Sequence, residues 1–400
     1  METGRQEMTR WPTKPLGELV DFVGGGTPRR DRPDYWGGEI PWASVKDLQS
    51  QSLETTLETI TAKGLANSAS NLIPQGTVII ASRVGLGKVA INLKPVAINQ
   101  DLKALTPRSS DLSPRYLLLF LLSKAEYLER TGVGATVKGL TLADYQKLDI
   151  VLPPLTQQER IVKLLDEADE LRKLRAQADC RTTDLIPTLF NEIFGDPSIN
   201  PQDFPISRIG ELCEMSPNYG TMVPARADEG EWLSLRVANI QDGLIDLTDQ
   251  KFVNLPVEML ERHTVKDGDL LLARAIGSKD HLGKCIVARP GNHKWAFDSH
   301  LMRIRLNRQR CEPVWLKTLL DTSGGRQLFL NNTRQSAVQF NINTKEFARI
   351  AVPLPPLTLQ KEFAARVSEI RAMQAEQAAS RRRLDDLFQS MLHRAFQGEL

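Results

Sequence analysis

The chain has 400 residues, more than one hydrophobic core usually holds, so its length predicts two or three domains. Its 41% hydrophobic and 25% charged residues are typical of a folded globular protein and exclude collagen-like or low-complexity chains. The net charge of +2 is too small to indicate nucleic-acid binding by charge alone. No run of about 20 apolar residues occurs, and the polar start has no signal-peptide pattern. A cytoplasmic protein without a membrane segment is expected.

Neither a metal site nor an active site is indicated by a sequence motif. Cys180, Cys213, Cys285 and Cys311 form no Cys-x-x-Cys pair, and the five histidines complete no metal-ligand spacing. The sequence contains no Gly-x-Gly-x-x-Gly, His-Glu-x-x-His or Gly-x-Ser-x-Gly motif. It also lacks the Asn/Asp-Pro-Pro-Tyr/Phe motif of amino-methyltransferases, which hold a flipped base. A non-catalytic chain with reduced thiols is therefore expected.

The chain contains an internal repeat that covers almost its whole length. Similar segments return in the same order, with short insertions between them. The matching segments are 16–19 with 209–212, 40–49 with 232–241, 73–85 with 265–277, 86–88 with 282–284, 97–102 with 296–301, 151–159 with 352–362, and 184–195 with 386–398. The repeat predicts two domains of the same fold.

Each half begins with short β segments between Gly and Pro turns, such as 77–81 and 269–273. A helix is predicted over 114–130 and again over 313–330, which makes each half an α+β globule. A Leu-Pro-Pro-Leu-Thr segment then ends each globule. It is expected to be extended, with Thr156 or Thr358 as the N-cap of the helix that follows.

The long helix after each globule carries apolar residues at alternating spacings of three and four, with polar residues in the middle of the seam. Two seams of equal length favour pairing as an antiparallel coiled coil, with one globule at each end and approximate two-fold symmetry. The predicted boundaries are 12–155 and 205–357 for the globules, and 156–195 and 358–400 for the helices.

One loop near the start of the first half interleaves basic and aromatic side chains. Arg29, Arg30 and Arg32 lie close to Tyr35 and Trp36 in a Gly- and Pro-rich stretch. Such residues can grip phosphates and contact bases. The alternative is a solvated loop whose Trp36 packs on its own domain.

These features resemble the DNA-specificity (S) subunits of Type I restriction-modification systems. The resemblance is carried by Gly25-Gly26-Thr27-Pro28, by residues 35–42, by the doubled Leu-Pro-Pro-Leu-Thr-x-Gln, and by residues 390–400. It implies two target-recognition domains joined by an antiparallel helical spacer, each reading half of a split sequence in double-stranded DNA. It also implies docking of two adenine methyltransferase subunits, to which two ATP-dependent restriction subunits can add. S-adenosylmethionine, ATP and Mg²⁺ would belong to those partners, and this chain would hold no cofactor or metal.

Candidate DNA-contacting residues follow from their positions in the two halves. Arginine can read guanine edges in the major groove, and lysine more often holds phosphate. The candidates are Thr27, Arg29, Arg30, Tyr35, Ser82, Arg83, Lys88 and Lys138 in the first half, and Tyr219, Thr221, Arg226, Arg236, Arg274, Lys279, Lys284 and Gln339 in the second. Two alternatives stay open: a subunit of a fused restriction-methylation enzyme, and a two-headed scaffold that binds proteins.

Overall fold

The computed structural model describes residues 11–133, 139–227, 229–241, 243–276, 283–331, 334–335 and 340–400. The chain divides into two compact units. Unit 1 comprises Met1–Ala176 and Ala379–Leu400, and unit 2 comprises Gln177–Ala378. Both units combine sheets with helices, as the predicted α+β class requires.

Unit 1 is built from short strands and helices that precede its first long helix. The strands are β1 (Thr13–Pro15), β2 (Val20–Gly24), β3 (Trp36–Ala43), β4 (Ser52–Leu53), β5 (Glu58–Ile60), β6 (Asn71–Ile73), β7 (Val78–Ala81), β8 (Val89–Asn92), β9 (Val96–Ile98), β10 (Leu102–Pro107) and β11 (Asp149–Val151). The helices are α1 (Leu16–Leu19), α2 (Ala62–Ala66), α3 (Pro114–Ser123), α4 (Ala125–Thr131), α5 (Leu142–Gln146) and α6 (Leu155–Thr183). The last turns of α6 belong to unit 2.

Unit 2 repeats this order of elements. Its strands are β12 (Ile206–Arg208), β13 (Cys213–Tyr219), β14 (Trp232–Leu235), β15 (Ile240–Gln241), β16 (Leu244–Ile245), β17 (Phe252–Val253), β18 (Leu270–Ala273), β19 (Ala275–Ile276), β20 (Cys285–Val287), β21 (Trp295–Phe297), β22 (Leu301–Leu306), β23 (Arg334–Gln335), β24 (Phe340–Asn341) and β25 (Ala351–Pro353). Its helices are α7 (Leu185–Phe194), α8 (Val257–His263), α9 (Pro313–Asp321), α10 (Ser323–Asn331), α11 (Thr344–Arg349) and α12 (Leu357–Gln397). The end of α12 belongs to unit 1.

The two units share their sheet topology. The main sheet of unit 1 has the order β2-β10-β7-β8-β4, and that of unit 2 has the order β13-β22-β18-β20. A second sheet in each unit contains one parallel strand pair, which is β3 with β9 in unit 1 and β14 with β21 in unit 2. The internal sequence repeat is therefore also a structural repeat.

The core of unit 1 lies between the main sheet and α3. All four residues of β7 are buried, and α3 buries a continuous run from Tyr116 to Leu121. The end of α12 closes this core, because the ring of Phe396 lies 5.0 Å from that of Tyr116 and 5.5 Å from that of Phe120. Burial of each such side chain stabilises the fold by roughly 1.5–3 kcal/mol.

The core of unit 2 contains a cluster of aromatic rings on α7, α9 and α12. Phe363 lies 5.6 Å from Phe190 and 5.3 Å from Phe194, measured between ring centres. Further along α12, Gln377 accepts a hydrogen bond at 3.0 Å from the hydroxyl of Thr182, which lies at the end of α6. The earlier residue, Thr182, contacts the later residue of α12, Gln377, whereas Phe190 contacts Phe363. The helical segments of unit 2 therefore run antiparallel.

The Leu-Pro-Pro-Leu-Thr-x-Gln motif acts through its glutamine. Gln158 accepts from the backbone N–H of Ser113 at 2.9 Å, and its amide donates to the Pro153 carbonyl at 2.9 Å. Gln360 repeats both contacts, with the N–H of Glu312 and the carbonyl of Pro355. Both glutamines are fully buried, so each ties the start of a long helix to its own globule.

Several predicted helix boundaries are wrong. The helix expected to start at an N-cap Thr156 starts at Leu155, which places Thr156 in the first turn. The two helices predicted over 114–130 and 313–330 are each divided, at Lys124 and at Thr322. Thr322 has an extended backbone (φ −65°, ψ 158°) and its hydroxyl accepts from the N–H of Gly325 at 3.1 Å, which starts a new helix. A pattern of apolar residues cannot show such a local break.

Candidate nucleic-acid interface

The ends of four strands of unit 1 lie level at one side of its main sheet. Gly24 at the end of β2 pairs with Lys103 on β10, and Ala81 at the end of β7 pairs with Leu102. The next register pair joins Ile80 to Val89, the first residue of β8. The loops that leave these strands are therefore neighbours. We call this side the unit 1 edge.

Two glycines bring the first loop against the unit 1 edge. A Cβ on Gly25 would lie 2.0 Å from the carbonyl oxygen of Ile98, so only glycine fits there. The N–H of Gly26 donates to that same carbonyl at 3.0 Å, and the Gly26 carbonyl accepts from the indole of Trp42 at 3.1 Å. This frame places Thr27 at the surface, where its hydroxyl donates to the side chain of Gln100.

The arginines of the first loop are all engaged by carboxylates. Arg29 makes a two-point ion pair with Asp31, and Arg30 makes one with Glu58. Arg32 pairs with Asp34 at 3.0 Å, and this guanidinium, together with Lys63, holds the pKa of Asp34 below its usual range. All three pairs are exposed to solvent. Neighbouring carboxylates therefore neutralise the positive charge of these three arginines.

The aromatic residues of this loop pack on unit 1. Trp36 donates from its indole to the carbonyl of Arg29 at 3.1 Å, and its ring lies edge-on to Trp42 at 5.1 Å. The Arg30 guanidinium lies 3.8 Å from the centre of the Trp36 ring. Tyr35 is only 7% exposed. Trp36 therefore packs on its own domain, which is the second of the two alternatives that the sequence left open.

The turn between β7 and β8 presents two of the candidate cations. Arg83 and Lys88 are exposed, and neither side chain has an ion pair or hydrogen bond in the described part of the chain. Ser82 is 3% exposed and its hydroxyl donates to the Asp101 carbonyl at 3.1 Å, so it anchors the turn. Lys138, a further candidate, lies outside the described residues.

Sequence reasoning missed three polar residues at the unit 1 edge. Lys103 reaches the end of β2, since a Cβ on Gly24 would lie 2.9 Å from its ammonium nitrogen. Gln100 contacts Thr27, and Lys46 follows Val45, which packs against the turn at Gly85. These residues come from other segments of the chain. Only the tertiary fold brings them to this edge, so no local motif could have indicated them.

The corresponding side of the sheet in unit 2, the unit 2 edge, has the same backbone frame. A Cβ on Gly220 would lie 2.2 Å from the carbonyl oxygen of Phe297, and the N–H of Thr221 donates to that carbonyl at 2.9 Å. Thr221 is 3% exposed, and its hydroxyl accepts from the N–H of Val223 at 3.0 Å. Gly220 and Thr221 therefore repeat the roles of Gly25 and Gly26.

The side chains on the unit 2 edge differ from those of unit 1. Arg274 occupies the position of Ser82. Each donates its backbone N–H to the carbonyl of the residue just before the neighbouring strand, His300 before β22 at 3.1 Å and Asp101 before β10 at 2.7 Å. The Arg274 guanidinium lies 4.1 Å from the centre of the Tyr219 ring. Its Nε donates to the carbonyl of Ser299 at 2.8 Å. An arginine is thus held in a fixed orientation at the unit 2 edge.

The remaining candidates of unit 2 are more dispersed. Lys284 begins the turn before β20, and its carbonyl accepts from the N–H of Ala273 at 2.9 Å. Arg226 is exposed beside Glu229 at 3.4 Å. Arg236 is half-buried and donates to the carboxylate of Asp249 at 2.9 Å. Lys279 and Gln339 lie outside the described residues.

The unit 2 edge also holds a carboxylate–histidine pair that the sequence did not indicate. The imidazole Nδ1 of His300 lies 3.4 Å from a carboxylate oxygen of Asp298. Burial raises the pKa of Asp298, and the neighbouring His300 opposes that rise. The histidine is largely exposed, so its ring can meet a ligand at this edge.

Each edge presents hydrogen-bond donors on a rigid backbone, which suits contact with phosphates and base edges. The described residues contain no group of three His, Cys, Asp or Glu side chains placed to hold a metal ion. Among the described helices, none combines the length and the apolar character that a membrane span requires.

The fold and the repeated edge define a protein with two domains of one design. Residues 8–178 match the family model described as the Type I restriction modification DNA specificity domain. Over nearly its whole length the chain is similar to Type I restriction-modification specificity subunits, which agrees with the resemblance predicted from the sequence features. The curated relatives are named specificity subunits, which agrees with the prediction of a non-catalytic subunit.

The relatives differ in how much of the chain they cover. The EcoKI specificity subunit of Escherichia coli K12 is 23% identical over 98% of this chain and 89% of its own length. The EcoR124I/EcoR124II specificity subunit of Escherichia coli is 32% identical, over 40% of this chain and 41% of that relative. The MjaIX specificity subunit of Methanocaldococcus jannaschii is 29% identical, and the match spans 38% of its length.

Two solved structures share the fold. A chain from a structure that describes complex assembly and conformational transition of the type I R-M system superposes with a TM-score of 0.67 at 20% identity, over 98% of this chain and 99% of that one. The Type I S subunit of M. genitalium gives a TM-score of 0.55 at 14% identity, over 99% and 98% of the two chains. The predicted fold class is confirmed by these neighbours.

Proposed function

We propose that the chain selects a split sequence in double-stranded DNA, with one half-site bound at the unit 1 edge and the other at the unit 2 edge. The observation that supports this proposal is that both edges have the same backbone geometry but carry different side chains. Gly25 and Gly220 approach equivalent carbonyls, whereas Arg83 in one unit and Arg274 in the other supply the arginine from different positions. Equal frames with unequal side chains suit two different half-sites.

Charge placement gives the two edges different ways to bind DNA. Arg83 and Lys88 have no acidic partner in the described residues, so they can meet phosphate directly. Arg29 and Arg30 must exchange Asp31 and Glu58 for phosphate oxygens before they bind DNA. Arg274 is oriented by Tyr219 and by the Ser299 carbonyl, which suits a directed contact to a guanine.

The first long helix offers a surface for a protein partner. Leu164, Leu171 and Leu174 on α6 are 36%, 54% and 51% exposed, at spacings that place them along one stripe of the helix. Such an apolar stripe marks an interaction site. We propose that two adenine methyltransferase subunits dock to the long helices in the cytoplasm and that two restriction subunits can join them. S-adenosylmethionine, ATP and Mg²⁺ would then bind to those subunits.

The test is a salt titration of DNA binding by the chain in complex with its methyltransferase subunits. Phosphate contacts give a steep linear fall of log K with log salt concentration, whereas an apolar protein interface does not. Lys88→Ala, just before β8, should lower the slope by about one. Lys94→Ala, an exposed lysine just after the other end of the same strand, is the matched control and should leave the slope unchanged.

A flat salt dependence would favour the two-headed protein scaffold and contradict DNA recognition. Docking is tested separately with Leu171→Glu and Leu174→Glu, which put a charge on the apolar stripe. These variants should abolish co-purification with the methyltransferase subunit while the chain remains folded. Ala176→Glu, which changes an exposed residue two positions after Leu174 and therefore on a different side of the helix, is the control for added negative charge.

A further inference from the structure

Unit 2 contains a cavity of about 450 Å³ that lies apart from the unit 2 edge. It is bordered by β16, by β20 and by the face of α12 that carries Ser368 and Arg371. The edge is formed where β20 begins, at Cys285, whereas the cavity includes Arg289, beyond the last residue of that strand. Nothing in the recognition of DNA at the edge accounts for this cavity.

The polar side chains that line the cavity are hydrogen-bond donors. They are Arg289, Trp295, Ser368 and Arg371. The other described lining residues are glycine or apolar, and no carboxylate is among them. Two guanidinium groups, an indole N–H and a hydroxyl therefore converge on a space with apolar walls.

The two arginines lack a counter-ion within the described structure. Neither Arg289 nor Arg371 makes an ion pair or a side-chain hydrogen bond there, and Asp321, the nearest carboxylate to influence Arg371, is paired with Lys317. Burial and the charge of Arg289 both lower the pKa of Arg371. A partly buried charge beside a like charge is unfavourable, and an anion between them would remove that repulsion.

Trp295 supplies an independent observation. Trp295 is 95% buried, since only 5% of its surface is exposed, and its indole N–H has no hydrogen-bond partner among the described residues. Buried N–H groups are nearly always paired with an acceptor. Since Trp295 lines the same cavity as the two arginines, an acceptor in that space would satisfy it.

We propose that this cavity binds a small organic anion, with its phosphate or carboxylate group held by Arg289 and Arg371. The apolar part of the ligand would pack against Ile286, Val287 and Val367. The volume exceeds that of a bare inorganic ion and fits a ligand that carries an apolar body. Because the site involves neither edge, the proposal stands apart from DNA recognition.

The experiment is isothermal titration of the full chain with phenyl phosphate, phenylacetate, inorganic phosphate and benzyl alcohol. At least one of the two aromatic anions should bind with a stoichiometry of one, and more tightly than inorganic phosphate or the neutral alcohol. The stronger of the two identifies the acidic group that the site prefers. If neither aromatic anion binds, or if benzyl alcohol binds equally well, the proposal is wrong.

Matched variants locate the binding. Arg371→Ala and Arg289→Ala should each weaken binding about tenfold, the loss expected for one charge-assisted hydrogen bond. Arg366→Ala removes an exposed arginine from the same helix and should leave affinity unchanged. Arg289 is exposed, so its removal should not affect folding and keeps the test valid if Arg371→Ala is unstable. Equal affinity in Arg289→Ala and Arg366→Ala would overturn the assignment.

Discussion

Gly25 and Gly220 hold equivalent positions in the two units of the chain. In each case an added Cβ would overlap a backbone carbonyl oxygen, that of Ile98 at 2.0 Å or that of Phe297 at 2.2 Å. The next residue donates its N–H to that carbonyl in both units. The two edges therefore depend on the same close approach of a glycine to a backbone carbonyl. Loss of this approach should have the same effect in both units.

Gly25→Ala and Gly220→Ala should each lower the free energy of unfolding by about 2–4 kcal/mol, because backbone rather than a flexible side chain must move. Denaturant unfolding of the full chain measures this. Gly139→Ala is the control, since its Cβ would meet the flexible Arg83 side chain at 3.3 Å. It should change stability by less than about 1 kcal/mol. Comparable losses in all three variants would refute the special role of the two glycines.

Arg83→Ala and Arg274→Ala should each weaken binding to one half-site only. Arg83 is exposed and unpaired in the described residues, so its removal should change DNA affinity without changing stability. Removal of Arg274 also deletes the contacts with Tyr219 and Ser299, so a loss of stability should accompany the loss of affinity. Duplexes altered in one half-site at a time distinguish the effects. Equal loss at both half-sites, or none, would refute these assignments.

A buried ion pair should dominate the electrostatic stability of unit 2. Asp269 accepts two hydrogen bonds from Arg305, at 2.8 and 2.7 Å, and both side chains are less than 10% exposed. Asp269→Asn leaves a buried guanidinium without its counter-ion and should cost about 3–5 kcal/mol of unfolding free energy. Asp249→Asn breaks a more exposed pair with Arg236 and should cost less than about 1 kcal/mol. A reversed order of the two effects would be inconsistent with the burial.

The partly buried Asp298 should make stability depend on pH. Its pKa is raised by burial, so the folded state binds a proton more tightly than the unfolded state. Its contribution to stability is therefore full below the ordinary aspartate pKa and is lost as the pH rises through the folded value. Relative to the wild type, Asp298→Asn should gain unfolding free energy as the pH rises above the ordinary aspartate pKa of about 4. Parallel pH profiles for the two proteins would contradict this.

The four cysteines should react in two groups. Cys180 is exposed, whereas burial raises the pKa of Cys213 to about 12 and also raises the pKa values of Cys285 and Cys311. The thiolate is the reactive form, so an aromatic disulfide reagent should modify one thiol quickly in the native chain and the others only after unfolding. Cys180→Ser should abolish the fast phase. Its persistence in that variant would show that a second thiol is accessible.

The sequence predicted the duplication, the α+β class and the long helices because repeated motifs and apolar spacing carry that information. The break between α3 and α4 and the start of α6 at Leu155 depend on single backbone angles and caps. Such features are not visible in a periodic pattern. The role of Gln158 and Gln360 was likewise missed, although the repeat had marked both positions.

The sequence indicates an exposed position where a residue lies beside a repeated motif, but it cannot indicate a residue that only the tertiary fold brings to an edge. Arg83 and Lys88 lie in the turn after a predicted strand, and both are exposed at the unit 1 edge. Tyr35, a predicted contact residue, is buried. Composition alone does not show which aromatic side chain of a loop packs on its own domain. Lys103 and Gln100 reach the edge only through strand pairing.

The central claim is that this chain directs methylation to one split DNA sequence. The most direct measurement is a map of adenine methylation in a host that expresses the chain together with its methyltransferase subunit, compared with a host that expresses the methyltransferase subunit alone. The account predicts new methylation confined to a single motif with two half-sites. An active methyltransferase whose methylation map is the same with and without this chain would contradict the account.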